Sequence, residues 1–153
     1  MKKQILSVVL VLAMLVTGTV SHAASNNSNK EVTYQEKIVK DFSVRFLSTP
    51  TIAHTENGFI ANAVIDGHNV SSAYSKKGDK IYSIVHYTST NLDKDIVDAV
   101  KTKYDKYFIT GMEKVEQPGF NAIYMVHLTD SKSIKTIRVT DDGLELLQNY
   151  TKR

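Results

Sequence analysis

Few side chains in this chain could do chemistry, and they are scattered. Beyond residue 23 there are four histidines, His54, His68, His86 and His127. None stands in a His-x-x-x-His or His-Glu-x-x-His spacing, which would set two imidazoles on one helix face for a metal. His86 and His127 fall on strands of different halves of the chain, and two imidazoles without a third ligand make a weak metal site. Ser131-Lys132-Ser133 sets two hydroxyls beside an amine, but these residues are equally good formers of a polar turn. Asp141-Asp142 precedes Gly143, and adjacent acids lack the alternating ligand spacing of a calcium loop. There is no Gly-x-Ser-x-Gly, no glycine-rich phosphate loop and no cysteine, which removes thiol catalysis, zinc-thiolate sites and disulfides. The sequence predicts no catalytic residue, no cofactor-binding residue, no cofactor and no bound metal.

The elements that would position any such group begin with an export signal. Met1-Lys2-Lys3 is a short basic start, Ile5 to Val16 is almost unbroken apolar sequence, and Ser21-His22-Ala23 places small residues at the −3 and −1 positions before Ala24. This pattern predicts a cleaved signal peptide over 1–23 rather than a membrane anchor, because the apolar run is too short to span a bilayer. The mature protein is expected in the periplasm or the medium, with no membrane partner after cleavage. Lys2 and Lys3 leave with the signal, so 17 basic residues remain against 16 acidic ones. That near balance offers no basic patch, and nucleic acid is not an expected partner.

Residues 24–32 are polar and rich in Asn and Ser, which predicts a flexible mature N-terminus. A single domain is expected over 33–153. Thr33-x-x-Glu36 reads as a capping box ahead of Ile38, Val39, Phe42 and Phe46, predicting a helix over 34–47 that stops before Pro50. Turn signals at Asn57-Gly58, Asp66-Gly67 and Lys77-Gly78-Asp79 separate strands over 59–65, 70–74 and 81–88. A second helix is expected over 93–108, with Asp93 as its N-cap and Ile96, Val100, Tyr104 and Phe108 as its apolar stripe. Four more strands follow, over 110–115, 122–129, 134–140 and 144–150. The predicted class is α+β: two helix-plus-antiparallel-meander units, α-βββ-α-ββββ, with the helices on one face of the sheet.

Four stretches stand out together: Asn57-Gly58-Phe59-x-Ala61, Ser72-Ala73-Tyr74-x-x-x-Gly78, Leu92 with the helix ending Lys103-Tyr104, and Ala122-Ile123-Tyr124-x-Val126 with Asp142-Gly143. In these segments the chain resembles the PepSY-like, beta-lactamase-inhibitor-like family of small exported bacterial proteins. The resemblance covers roughly 38–150. Asp93 stands where the family has proline, and the chain has no tryptophan. What the resemblance implies is the fold and an inhibitor-like, non-enzymatic role.

Period-2 alternation sorts the strand residues into two faces. Phe59, Ala61, Ala63 and Ile65 share one, with Ile81, Val85 and Tyr87, and with Ala122, Tyr124, Val126 and Leu128; these are expected under the helices. The opposite face holds Ile60, Val64, Tyr82, Ile84, His86, Ile123, Met125 and His127. A face turned to water should be polar, and this one is too apolar for that. The eight residues are the candidate protein-binding face, for a protein or peptide partner in the cell envelope. The alternatives are a small-ligand carrier or hydrolase with a pocket between helices and sheet, and a structural homodimer through the same face.

Overall fold

A computed structural model describes residues 28–89 and 92–153. The expected signal peptide at 1–23, and the start of the expected flexible segment, lie outside them. The described elements follow in the order α1 (Ser28–Phe46), β1 (Thr51–Thr55), β2 (Gly58–Ile65), β3 (His68–Ser75), β4 (Lys80–Thr88), α2 (Lys94–Lys103), β5 (Phe108–Glu116), β6 (Ile123–Thr129), β7 (Ser133–Thr140) and β8 (Gly143–Thr151). The class is α+β, and the strands form one eight-stranded antiparallel sheet in the order β1 to β8.

Each half is therefore α-ββββ, and β1 corrects the expected α-βββ first unit. Thr51–Thr55 holds one large apolar residue, Ile52, too little alternation to announce a strand. It forms because Asn57-Gly58 closes a hairpin that pairs Thr55 with Gly58 and Thr51 with Asn62. Helix α1 starts at Ser28, ahead of the Thr33-x-x-Glu36 box and inside the segment expected to be flexible. No proline or glycine lies between Ser28 and Thr33, so nothing there stops the helix extending backward.

Helix α2 begins as its sequence implies: Asp93 is the N-cap, and its carboxylate accepts from the backbone N–H of Asp95 and Ile96. It ends at Lys103, not at 108. Tyr104 takes a non-helical backbone and caps it, and Phe108 opens β5. Tyr104, Tyr107, Phe108 and Ile109 are bulky β-formers, and strand pairing wins over continued helix.

Two separate cores lie on one side of the sheet. Ile38 and Phe42 of α1 pack with Phe59 and Ala61 of β2 and with Val70 and Tyr74 of β3, all buried. Val100 of α2 packs with Met112, Val126, Leu128, Ile137 and Val139 of β5 to β7. The Tyr74 hydroxyl donates to Asp41 at 2.8 Å, and burial together with that acceptor pushes the phenol above its ordinary pKa. Buried Ser72 and Ser83 hydrogen-bond each other at 2.8 Å on the same side. A link between the halves is an ion pair from Arg45, in the last turn of α1, to Glu116 of β5. A register shift after Ala73 pairs Tyr82 with Ala73 and Lys80 with Tyr74. Ile81 is left opposite neither and exposed, which corrects its expected place under the helices.

Candidate functional site

The face of the sheet away from both cores is assembled row by row from the strand register. Ile60 and Tyr82 are joined through Ala73 between them. In the next row Ile84 pairs with Val115, which pairs with Ile123. The third row runs Val64, Asn69, His86, Glu113, Met125, Arg138, Glu145, crossing from β2 to β8. His127 lies in the fourth row, between Gly111 and Thr136. The register thus sets the eight sequence-derived positions on one face.

This face has a packed centre. Ile84 is 7% and Val115 8% exposed, although neither belongs to the cluster under a helix. Ile60, Tyr82, Ile123 and Met125 are half-buried around them, and Val64 is exposed. Burial raises the Tyr82 phenol above its ordinary value.

Beside that centre, β4, β5 and β6 bring three titratable side chains together. His127 Nε2 stands 2.8 Å from Glu113 Oε2, and His86 Nδ1 stands 3.8 Å from Oε1. His127 Nδ1 also lies 3.3 Å from the Thr136 hydroxyl, which fixes the ring plane. Burial works against ionised Glu113, but the bond to His127 and the nearness of His86 outweigh it, lowering the carboxyl from 4.5 to about 2. The Glu113 bond raises His127 above 6.5, against the opposing effect of burial. Two strand histidines therefore meet through a glutamate. Among the described residues, no group of three His, Cys, Asp or Glu side chains is arranged to hold a metal ion.

This cluster makes a pH prediction. Glu113, with its pKa lowered on folding, contributes stability above about 4.5 that is lost toward pH 2. His127, with its pKa raised, contributes stability fully present below 6.5 and lost as the pH rises through its folded value. Their joint contribution peaks between about 4.5 and 6.5. Urea denaturation should find Glu113→Gln most destabilising relative to wild type within that window, and less so at either side. A difference that does not change with pH would contradict the linkage.

Sequence reasoning missed Glu113 and a second apolar row. Phe108, Thr129, Ile134 and Tyr150 are consecutive register partners on this same face. Phe108 is 73%, Ile134 45% and Tyr150 59% exposed. Alternation along 134–140 and 144–150 could have placed Ile134 and Tyr150 beside Arg138 and Glu145; Phe108 was hidden inside the expected helix. Among described strand residues this face carries only five charged or imidazole side chains: His86, Glu113, His127, Arg138 and Glu145. Arg138 and Glu145 pair with each other.

The helix side of the sheet holds a cleft of about 380 Å³ beside the end of α1, lined by Phe46, Val70, Val85 and Tyr87 with Arg45, Lys114 and Glu116. Three of its charged groups engage one another: Glu116 accepts from Arg45 and lies 3.0 Å from Lys114 Nζ.

No family model matches the chain, and no curated protein matches it. Solved structures do. The chain is similar to a DUF2874 family protein from Bacteroides ovatus ATCC 8483, with a TM-score of 0.58, 13% identity and coverage of 84% of this chain and 89% of that one. A BLIP-like protein from Bacteroides fragilis NCTC 9343 gives a TM-score of 0.57 at 12% identity, covering 76% and 84% of the two chains. A protein of Bacteroides eggerthii DSM 20697 whose name marks it as periplasmic gives 0.55 at 12% identity, covering 76% and 87%. At such identities the likeness is one of fold: the chain has a BLIP-like fold, its described residues giving two helices and an eight-stranded antiparallel sheet. No helix among the described residues is long and apolar enough to cross a membrane.

Proposed function

We propose that the protein is an exported, non-catalytic binding module that captures a protein or peptide of the cell envelope on the face of its sheet against which no described helix packs, the helix-free face. The observation that carries this reading is the composition of that face. Eight strands present aliphatic, aromatic and hydroxyl side chains there with only five charged or imidazole groups, and two of those neutralise each other. Interface centres are depleted of charge in this way, because burying an unpaired charge costs more than contact returns. Tyr82, Met125 and the Phe108–Ile134–Tyr150 row supply anchors of the types that dominate binding energy. The periplasmic name of one fold neighbour and the basic-apolar N-terminal sequence favour export. The BLIP-like neighbour and the family resemblance favour an inhibitor, which makes a beta-lactamase the first enzyme to assay.

Met125→Glu puts a carboxylate beside Glu113, its register partner, in the middle of the face. Affinity capture from envelope extract should fall by tenfold or more, about 1.4 kcal/mol. Val44→Glu, on the exposed side of α1, should leave capture unchanged. Equal loss in both variants, with both folded by circular dichroism, would remove the face as the site.

A further inference from the structure

The sheet has two edges, and they are unlike. Strand β1 is five residues long, follows Pro50, and lies close to α1, where Gln35 Nε2 meets His54 Nε2 at 2.9 Å. Strand β8 is nine residues long, pairs among the described strands only with β7, and carries no proline or lysine between Gly143 and Thr151. Proteins usually block a long edge with such residues, since its unpaired N–H and C=O groups invite another strand. Leu146 is 47% exposed on β8, and Tyr150 and its β7 partner Ile134 are exposed on the other face.

The flanks of β8 carry opposite charge. Asp141 and Asp142 precede it, Lys152 and Arg153 follow it, and all four are exposed. Antiparallel pairing of two β8 strands about a two-fold axis near Leu147 brings the Asp141–Asp142 end of one copy against the Lys152–Arg153 end of the other. The symmetry repeats the contact at the other end. Parallel in-register pairing would instead set acid on acid and base on base. The register shift between Thr136 and Ile137 gives Leu147 no partner residue on β7, so the strand divides into two four-residue arms, Gly143–Leu146 and Gln148–Thr151. Under the two-fold each arm meets the other arm of the second copy. Pairing β8 with β1 would be heterologous and would leave free edges to grow a filament, whereas β8 with β8 closes.

We propose that the chain forms a two-fold symmetric dimer through antiparallel pairing of its β8 edges, joining the two sheets into one. This does not rest on the partner-binding reading, because it is argued from the β8 edge and the charges that flank it.

The test is sedimentation equilibrium on the full chain, purified as the producing cell processes it. Wild type should reach twice the monomer mass at micromolar concentration. K152E/R153E and D141K/D142K should each weaken dimerisation by about tenfold or more, since each replaces attraction with repulsion at both ends. An equimolar mixture of the two should recover the wild-type affinity as a heterodimer, in which each reversed end meets a reversed end of opposite sign. Leu146→Lys, at an exposed position, should also give monomer. Wild type that stays monomeric to millimolar concentration would overturn the proposal. So would a dimer indifferent to these changes, or charge variants that mixing does not rescue.

Discussion

Replacing Phe42 by alanine should cost this protein about 3–5 kcal/mol, the range for deleting a fully buried aromatic ring. Phe42 is wholly buried where α1 meets β2 and β3, and its ring centroid lies 4.7 Å from that of Phe46. Its sheet neighbours, Phe59, Ala61, Val70 and Tyr74, cannot collapse into the hole without breaking ladder bonds. The loss is a large fraction of the ~5–15 kcal/mol that holds an ordinary domain together. The two cores share no buried residue, yet the ladder from Ser83–Glu116 to Thr88–Gly111 runs unbroken between β4 and β5. Damage to the first core should therefore unfold the second with it. Urea denaturation read by tyrosine fluorescence and by circular dichroism should give one coincident transition at lower midpoint. A loss under about 1 kcal/mol would mean that α1 is not held as described. Two separated transitions would mean that the halves fold apart.

Gly58→Ala should be as severe for a different reason. Gly58 has φ +149°, and a Cβ there would lie 2.0 Å from the Tyr74 backbone oxygen and 2.8 Å from the Ser75 carbonyl carbon. Both obstacles are main chain, so no rotamer change relieves them. The β1–β2 hairpin or the β2–β3 pairing must give way, at a cost of about 3 kcal/mol or more. Gly119, with φ +80° and nothing within 4 Å of where a methyl group would stand, is the control. Gly119→Ala should cost only the backbone strain of a left-handed alanine, about 1 kcal/mol. Midpoints of thermal unfolding for the two variants compare them directly. Similar midpoints would show that the close approach at Gly58 does not constrain the chain.

What could be read from the sequence follows the physics of each signal. Asn57-Gly58, Asp66-Gly67 and Asp142-Gly143 announced their hairpins because few residues accept positive φ, and Asp66 and Gly67 do take it. Asp93 announced the start of α2 because a carboxylate before an apolar stripe has an obvious hydrogen-bonding task. The end of α2 was hidden, since Tyr104 and Phe108 continue the four-residue spacing while their shape favours a strand. Strand β1 was hidden because its pairing comes from the hairpin and not from its own alternation.

A bulge and the strand register hid the rest. The shift between Ile109 and Gly111 steps over Thr110, so Phe108 and Glu113 share a face that strict alternation denies them. That one extra residue turns Phe108 to the face that carries Glu113. Glu113 meets His86 and His127 through the regular pairing of β4, β5 and β6, which no single strand announces.

Whether a partner sits on the helix-free face is read out by site-specific photo-crosslinking in the producing cells. A photoreactive side chain at Met125, which lies in the middle of the long row, is compared with one at Val44, exposed on α1. A discrete crosslinked species is expected from position 125 and none from position 44. A discrete species from position 44 alone would contradict it and move the binding surface to the helices.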